Sequence, residues 1–236
     1  MLTEEIKDIL LASQELGWVL EPEAKRLLSL AGLDVPRFIL AREPGEAVRF
    51  TREIGYPVVA KVVSPRVVHK SDVGGVVVHI DSYVKLTATF RRFSRIEGFT
   101  GVLVEEMLSG IELIVGAKVD YQFGPVILLG MGGIGVEIYR DTTLRMAPLK
   151  RKDVASMLKG LKAHQLLKGY RGSKAVNLAK LKGMVAAFSD LVMELEGYIE
   201  SIDLNPVLCS SRRCVVADAR IMLKQEKTPE VLRTSD

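Results

Sequence analysis

Apolar residues along this chain follow two different spacings, and the alternation between them predicts a mixture of helices and short strands. Apolar positions three or four residues apart predict helices over residues 3–16, 22–31, 44–54 and 82–96, and a helical region over 150–195 that is broken at Gly160, Gly169 and Gly172. Short apolar runs predict a strand pair within residues 55–80 and further strands at 35–41, 101–107, 111–119, 125–129, 136–144, 198–208 and 215–222. Short strands in antiparallel order with a few helices indicate an α+β fold.

Lys61 interrupts one of the apolar strands, in the run Tyr56-Pro-Val-Val-Ala-Lys-Val-Val63. A buried ammonium group costs several kcal/mol unless an anion meets it, so this position predicts a bound phosphate or a carboxylate partner. The loop that follows, Lys70-Ser-Asp-Val-Gly-Gly75, returns the chain to a second apolar strand. Because Gly74 and Gly75 allow backbone N–H groups to approach an anion closely, the loop is a candidate phosphate-binding turn.

A second group of polar residues lies near the C-terminal end, in the run Glu200-Ser-Ile-Asp-Leu-Asn-Pro206. Asp203 and Asn205 share one face of the predicted strand, because alternate side chains point the same way. If residues 209–214 form a hairpin loop, Asp218 of the next strand lies opposite Asn205, and the two side chains can offer oxygen ligands to Mg²⁺. The alternative is that these residues only flank a proline turn.

Composition limits the classes of function. The chain has 236 residues, of which 48% are hydrophobic, enough for one large domain or two modest lobes. Its 33 basic and 29 acidic residues give a net charge of +4, too small an excess to indicate nucleic-acid binding by itself. No apolar stretch approaches the roughly 20 residues that cross a bilayer, and the charged first eight residues are unlike a targeting peptide. We therefore expect a cytoplasmic protein that binds neither nucleic acid nor membrane.

Two motifs with familiar meanings have weaker support. Cys209 and Cys214 lack further ligands for zinc nearby, so two reduced thiols on adjacent strands are favoured, with a cross-strand disulfide as the alternative. The run Gly130-Met-Gly-Gly-Ile-Gly135 matches a dinucleotide-binding pattern, but β-forming residues follow it where that mechanism needs a helix N-terminus. We expect these glycines to form a turn that lets the backbone approach a ligand or a partner subunit.

The string Ser64-Pro-x-x-x-His69-Lys70-Ser-Asp-Val-Gly74-Gly75 resembles the phosphate-binding hairpin of an ATP-grasp domain. It is similar to one subgroup, the nucleotide-binding β subunits of ADP-forming acetyl-CoA or acyl-CoA synthetases in the succinyl-CoA synthetase superfamily, and the resemblance extends from about Glu21 to Leu223. It implies a two-lobed ATP-grasp fold with mixed or antiparallel sheets. The implied division is an N-terminal helical segment (1–20), a first lobe with the hairpin (21–100), a second lobe with the metal site (101–224) and a polar tail (225–236).

The resemblance also implies a set of nucleotide-binding and metal-binding residues. Backbone groups of Glu106 and Met107 would contact the adenine edge, and Glu112 would bind the ribose hydroxyls, whereas which of Glu105 and Glu106 points inward stays open. The implied nucleotide-binding residues are Lys61, Lys70, Gly74, Gly75, Glu105, Glu106, Met107 and Glu112. Because Asp-x-Asn-Pro is similar to the metal motif of ATP-grasp ligases, the implied Mg²⁺ ligands are Asn205 and Asp218.

In this subgroup phosphate passes through histidine, so the resemblance makes His69 a relay between the nucleotide and a separate α subunit. Asp203 would orient the imidazole, and Arg145 would neutralise phosphoryl charge. The run Glu200-Ser-Ile-Asp203 departs from the usual pattern, which leaves open which acid faces His69. The implied reversible reaction converts acyl-CoA, ADP and phosphate to the free acid, CoA and ATP. The α subunit would bind CoA and complete an α2β2 assembly.

Two other classes of function are kept as alternatives. A stand-alone ATP-grasp carboxylate ligase or kinase acting through an acyl phosphate would keep Lys61, Asn205 and Asp218 but would have little need of the His69 loop. A non-catalytic scaffold would need neither the lysine nor the metal pair. The basic helices between 150 and 182 fit either a solvated face or a docking surface for a partner.

Overall fold

The computed structural model describes residues 2–133, 141–169 and 174–225, which form two sheets, each covered by helices. The α-helices of these residues are α1 (Glu4–Ala12), α2 (Glu21–Leu30), α3 (Pro44–Ile54), α4 (Tyr83–Phe93), α5 (Arg151–Gly160) and α6 (Leu178–Leu195). The strands are β1 (Trp18–Val19), β2 (Phe38–Ala41), β3 (Val58–Val63), β4 (Val76–Ile80), β5 (Gly101–Glu106), β6 (Ile111–Asp120), β7 (Gly124–Met131), β8 (Thr142–Met146), β9 (Ile199–Cys209), β10 (Cys214–Val216) and β11 (Ala219–Leu223). Short 3-10 helices span Lys70–Val73 and His164–Lys168.

The small sheet has the strand order β2-β5-β3-β4, and each neighbouring pair is antiparallel. Its core lies under α3 and α4, where Phe90 and Phe93 pack with Val62 and the other alternate residues of β3. All six residues of β3 are buried, including Lys61. The continuous apolar run around that lysine therefore belongs to a central strand enclosed on both faces.

The large sheet has the strand order β1-β11-β9-β6-β7-β8, and β10 pairs with β9 beside β11. Helices α1, α2, α5 and α6 pack on one face, and α6 buries Leu181, Val185, Phe188 and Val192 at helical spacing. Strand β9 alternates, so that Leu204 and its like-facing neighbours enter this core. The residues between them point to the opposite face, where β9 and β11 approach the small sheet.

The predicted α+β class and antiparallel pairing are confirmed, but the elements divide between the lobes differently from the prediction. Helix α2, predicted in the first lobe, packs in the core of the large sheet through Ala24, Leu27 and Leu28. Strand β5, predicted in the second lobe, lies between β2 and β3 in the small sheet. The segment 1–20 also joins the large lobe, because β1 pairs with β11. The predicted lobes were continuous stretches of sequence, whereas tertiary packing selects which elements pair, so α2 and β5 were assigned to the wrong lobes.

The two cysteines lie where the hairpin prediction put them. Cys214 pairs with Cys209 across β10 and β9, and both are buried free thiols. Residues 134–140, which include Gly135 and most of the strand predicted at 136–144, lie outside the described residues, as do Gly172 and residues 226–236 of the predicted tail. Among the residues that are described, no helix is both long enough and apolar enough to cross a bilayer.

Candidate active site

Two adjoining cavities open between the small sheet and the polar face of β9 and β11. The first, of about 320 Å³, is the apolar cavity, whose apolar walls include Val59, Val78, Met107, Leu108 and Leu208. The second, of about 220 Å³, is the histidine cavity, whose walls include His69, Asp203 and Arg220. Both cavities share Ser71, Val76, Asn205 and Asp218. They therefore form one cleft with an apolar part and a polar part.

Six charged residues meet at the floor of the cleft and form the ion-pair cluster: Glu21, Lys25, Lys61, Lys70, Glu105 and Asp218. Lys61 Nζ lies 2.7 Å from Glu21 and 2.9 Å from Glu105, and it donates to the carbonyl oxygen of Ala217 at 2.6 Å. Burial alone would lower the pKa of Lys61, but the carboxylates of Glu21, Glu105 and Asp218 raise it well above its ordinary value. The carboxylate partner that the sequence offered as one explanation of this buried lysine is thus present.

Lys25 and Lys70 complete the ion-pair cluster. Lys25 is fully buried and pairs with Glu105 and, at 3.0 Å, with Glu21. Lys70 Nζ lies 2.9 Å from Glu21 and 3.5 Å from Asp218. The cluster contains three carboxylates and three ammonium groups, and this balance is what makes the burial of so many charges tolerable.

The sequence analysis missed Glu21 and Lys25, although a signal for both was present. They are four residues apart on α2, on the same side as the buried Leu28. Charged residues at the core positions of an amphipathic helix need partners, just as Lys61 does in its strand. The pattern could therefore have indicated a charged contact at the N-terminal end of α2.

Glu105 and Glu106 point to opposite sides of β5, so the question of which one faces inward is answered. Glu105 is buried in the ion-pair cluster, whereas Glu106 pairs with Arg37 at 3.1 Å and with Arg213 at 3.3 Å. The Glu106 N–H donates to the carbonyl oxygen of Arg37, so this N–H is not free for adenine, and a backbone contact of Glu106 with adenine stays a prediction. Burial raises the pKa of Glu106, but hydrogen bonds from Arg37 and Arg213 hold it below its ordinary value.

Besides Glu105 and Glu106, two more of the residues predicted to bind the nucleoside line the apolar cavity. Met107 and Glu112 lie on its wall, next to Leu108. Gly132 packs on the backbone of Glu112 and donates its N–H to the Glu112 carbonyl oxygen at 2.7 Å. The first part of the glycine-rich run thus supports the wall of a cavity, and the roles of Met107 and Glu112 toward a nucleotide stay predictions.

His69 lies in the polar part of the cleft, next to an arginine that the sequence analysis missed. Its ring nitrogens are 3.3 and 3.5 Å from Arg220 Nη1, and Arg220 Nη2 is 3.5 Å from an oxygen of Asp203. Arg220 therefore stands between Asp203 and His69. Burial raises the pKa of Asp203, and the guanidinium of Arg220 offsets part of this increase. Arg220 is two residues after Asp218, and alternate side chains of an extended segment point the same way. This spacing could have predicted from the sequence that Arg220 faces the cleft.

Asn205 and Asp218 are neighbours across the ladder between β9 and β11, as the hairpin prediction required. The Asn205 N–H donates to the carbonyl oxygen of Asp218 at 3.2 Å, and both side chains line both cavities. Burial and the charge of Glu21 raise the pKa of Asp218, while the neighbouring lysines act in the opposite direction. Two oxygen donors that face open space fit Mg²⁺, which takes few protein ligands and fills its octahedron with water and phosphate oxygens.

Gly74 and Gly75 do not offer their N–H groups to the cleft, which corrects the sequence interpretation. Gly74 donates to the Ser71 carbonyl oxygen at 3.1 Å and Gly75 to that of Lys70 at 2.7 Å. Gly74 has a φ of 59°, and a Cβ on Gly75 would lie 2.5 Å from Val62 Cγ1. These two glycines serve the tight turn that positions Lys70.

Arg145 is the one predicted catalytic residue that the structure does not bring to the cleft. It pairs with Ile127 across β8 and β7, so its side chain lies on the helix-covered face of the large sheet, where it donates to Ser156 of α5 at 2.9 Å. Asp203 is on β9, three strands from β8, and its side chain is on the opposite face of the sheet. Three inter-strand spacings separate the two strands by about 14 Å. The arginine beside His69 is instead Arg220, which is half-buried.

Comparison with known proteins decides the family. The model of the ATP-grasp domain family matches residues 11–223. The β subunit of ADP-forming acetate–CoA ligase I from Pyrococcus furiosus is 40% identical over 213 residues, which cover 87% of this chain and 91% of that subunit. The chain belongs to the ATP-grasp β-subunit family of ADP-forming acetate–CoA ligases. The family and the fold predicted from the Ser64–Gly75 string are thereby confirmed.

Some solved structures that are similar to this chain contain bound ligands. ACD1 of Ca. Korarchaeum cryptofilum in complex with coenzyme A gives a TM-score of 0.86 at 42% identity, covering 93% of this chain and 100% of that chain. Acetyl-coenzyme A synthetase 1 of the same organism, with coenzyme A and Mg-AMPPCP, gives 0.82 at 40% identity, with coverages of 93% and 100%. In the latter complex a phosphohistidine segment points towards the nucleotide binding site.

Proposed function

We propose that the chain is the nucleotide-binding β subunit of an ADP-forming acyl-CoA synthetase that uses acetate-type acids. The observation that carries this proposal is the wall common to the two cavities. Ser71, Asn205 and Asp218 lie between an apolar cavity suited to adenosine and a polar cavity that contains His69. The 40% identity to the P. furiosus β subunit, over 91% of its length, supports the same activity.

The nucleotide spans the cleft with its base in the apolar cavity. Val59, Val78 and Leu208 offer apolar contacts to the adenine ring, and Glu112 accepts hydrogen bonds from the ribose hydroxyls. The phosphates then lie at the ion-pair cluster, where Lys61 and Lys70 neutralise charge. Phosphoryl transfer passes through a loose transition state with charge spread over its oxygens, so fixed ammonium groups and good positioning supply most of the catalysis.

Asn205 and Asp218 would hold the magnesium ion that accompanies the nucleotide. Their side chains line both cavities and would offer it two oxygen ligands. When bound, the ion neutralises charge on the phosphate oxygens. Asp218 also lies 3.6 Å from Lys61, so this carboxylate would serve both the metal and the lysine.

His69 carries the phosphoryl group between the nucleotide and the partner. In the direction of ATP synthesis, a ring nitrogen of His69 bonds to phosphorus as the nitrogen of the partner's phosphohistidine leaves. The new N–P bond then breaks as an oxygen of the ADP β-phosphate takes the group, so one bond forms for each that breaks. Arg220, at 3.3 Å from the ring, neutralises phosphoryl charge, and Asp203 acts through Arg220.

A separate α subunit supplies the remainder of the reaction. It binds coenzyme A and the acyl group and carries the main phosphohistidine, and two copies of each subunit assemble as α2β2. The net reaction converts acetyl-CoA, ADP and phosphate to acetate, CoA and ATP. The designation of the P. furiosus relative as a β subunit supports such a division of labour.

ATP formation tests this proposal directly. The chain is co-expressed with its α partner and supplied with acetyl-CoA, ADP, phosphate and Mg²⁺, and wild type is compared with His69→Ala. His79→Ala, which removes an exposed histidine from the same hairpin, is the matched control. We expect ATP formation that needs both chains, is lost in His69→Ala and is kept in His79→Ala.

The other outcomes are equally informative. Full activity in His69→Ala would refute the relay but leave the synthetase intact. A wild-type pair that makes no ATP from any acyl-CoA would refute the synthetase in favour of the stand-alone ATP-grasp ligase, which keeps Lys61, Asn205 and Asp218.

A further inference from the structure

Glu21 is the centre of the ion-pair cluster, although it does not line either cavity. Its carboxylate lies 2.7 Å from Lys61 Nζ, 2.9 Å from Lys70 Nζ and 3.0 Å from Lys25 Nζ. Among the described residues it is the one carboxylate within 3.0 Å of three ammonium groups, since Asp218 reaches two lysines at longer distances. Glu21 is 4% exposed, so water does little to screen these contacts.

Glu21 also joins two parts of the molecule that have separate hydrophobic cores. It is the first residue of α2, which packs in the core of the large sheet through Ala24 and Leu28. Lys61 is in the central strand of the small sheet, and Lys70 is in the 3-10 turn of the hairpin. One carboxylate anchored in the large lobe thus fixes two lysines that belong to the small lobe.

We propose that Glu21 is a positioning residue that holds the ammonium groups of Lys61 and Lys70 where the nucleotide phosphates bind. This inference rests on the proposed function, because it assigns the phosphates to those two lysines. Glu21 itself touches neither the nucleotide nor the reacting atoms. It acts by keeping two like charges close together at the cleft before the ligand arrives.

The physical need for such a residue follows from the chemistry of lysine. A lysine side chain is long and flexible, and ordering it on binding costs free energy that a preformed contact avoids. Two ammonium groups beside one another also repel unless a carboxylate lies between them. Burial raises the pKa of Glu21, but Lys25, Lys61 and Lys70 hold it well below its ordinary value, so the carboxylate stays charged.

Calorimetric titration of the full chain with Mg-ADP and with adenosine tests the inference. In Glu21→Gln we expect Mg-ADP affinity to fall by about tenfold or more, because charged contacts to the phosphates lose their alignment. Adenosine has no phosphates and occupies only the apolar cavity, so its affinity should change by less than about twofold. Glu23→Gln, at a half-buried position on the first turn of the same helix and outside the ion-pair cluster, is the matched control and should leave both affinities as in wild type.

A double variant separates positioning from folding. Glu21→Gln alone leaves three ammonium groups against two carboxylates in the ion-pair cluster, which destabilises the fold. Glu21→Gln combined with Lys25→Met restores the balance at two and two without restoring the contact to Lys61 and Lys70. We expect the double variant to regain the unfolding temperature of wild type while Mg-ADP affinity stays low.

The outcomes distinguish this inference from the proposed function. If wild type binds Mg-ADP and Glu21→Gln binds it equally well, the positioning role is refuted while the nucleotide site stands. If the double variant regains Mg-ADP affinity together with stability, Glu21 acts only on folding and the inference is also overturned. If wild type itself fails to bind Mg-ADP, the proposed function fails first.

Discussion

His69 differs from the other two histidines of the chain in what surrounds its ring. His164 Nδ1 contacts the carbonyl oxygen of Leu161, which fixes it to its own turn, and His79 lies at the exposed end of β4. His69 instead faces Arg220 from the polar part of the cleft. Arg220 Nη1 lies 3.3 Å from one ring nitrogen of His69 and 3.5 Å from the other, so a donor-only group borders both nitrogens. A nitrogen of a neutral imidazole attacks phosphorus through its lone pair, which must be free of a hydrogen bond at that moment.

Two arginines allow a direct test of this arrangement. Arg220→Ala should lower the rate of ATP formation by about a hundredfold with Mg-ADP affinity unchanged, because an oxyanion-stabilising group acts mainly in the transition state. Arg145→Ala should leave that rate unchanged, since Arg145 lies on the helix-covered face of the large sheet. The comparison of kcat between the two variants is the measurement. A large loss in Arg145→Ala with none in Arg220→Ala would restore the sequence prediction.

At the scale of single residues, the sequence predicted those whose chemistry conflicts with their local pattern. Lys61 stands out because its neighbours in β3 are apolar, and Asn205 and Asp218 could be paired because a hairpin fixes which residues lie opposite each other. Arg145 was misassigned because its face of the sheet depends on the register of β7 and β8, which no local pattern reveals. A shift of one position reverses the face of a strand residue.

At the scale of elements, the turn after His69 has a strict steric requirement. Residues Lys70–Val73 form one 3-10 turn that ends at Gly74 in the left-handed conformation, with a φ of 59°. Gly75 then passes close to β3, with its N–H bonded to the Lys70 carbonyl oxygen. This closure turns Lys70 back to the ion-pair cluster, so the glycines act on the site through the geometry of the turn.

Alanine substitution measures that requirement. Gly75→Ala should destabilise the protein by about 2 kcal/mol, because its Cβ would lie 2.5 Å from Val62 Cγ1 and overpack the core. Gly45→Ala, in the first turn of α3 with open space around the added Cβ, should instead stabilise it by about 0.5 kcal/mol. Urea unfolding of both variants checks the pair. Equal effects at the two positions would show that the turn adjusts to a side chain.

The sequence predicted most elements of the described residues, because caps and periodicity are local signals. Gly55 ends α3 and Gly32 follows α2, both with positive φ, as the helix predictions assumed. Strand β1 was missed because two residues carry no detectable period. Its pairing with β11 connects residues more than 200 positions apart, which is a property of the tertiary fold.

At the scale of the whole molecule, charged contacts join the two lobes on two sides of the cleft. The first of these contacts is the ion-pair cluster at the floor of the cleft. The second lies outside that cluster, where Arg213 of the β9–β10 turn is 3.3 Å from Glu106 of the small sheet. Arg213 also pairs with Asp34 at 2.8 Å, before β2 begins. The hydrogen bonds and charges of Asp34 and Glu106 raise the pKa of Arg213, so the arginine keeps its charge.

This outer contact should make the stability of the two-lobed structure sensitive to acid. Glu106 has a pKa below its ordinary 4.5 in the folded protein, because the hydrogen bonds from Arg37 and Arg213 outweigh the effect of burial. A carboxyl with a lowered folded pKa contributes stability that is fully present above the unfolded value. That contribution disappears as the pH falls through the folded value, because the unfolded state then binds the proton more readily.

We therefore expect the free energy of unfolding of wild type to decline with acid below about pH 4.5, and the decline to be shallower in Glu106→Gln. At neutral pH the variant should lose only about 0.5–1 kcal/mol, since a contact near the surface is screened by solvent. Urea unfolding at a series of pH values measures both quantities. Glu97→Gln is the control, because Glu97 pairs with Arg66 within the small-sheet lobe and does not reach the large lobe. Identical slopes for Glu106→Gln and wild type would mean that the Arg213 contact does not contribute to holding the lobes together.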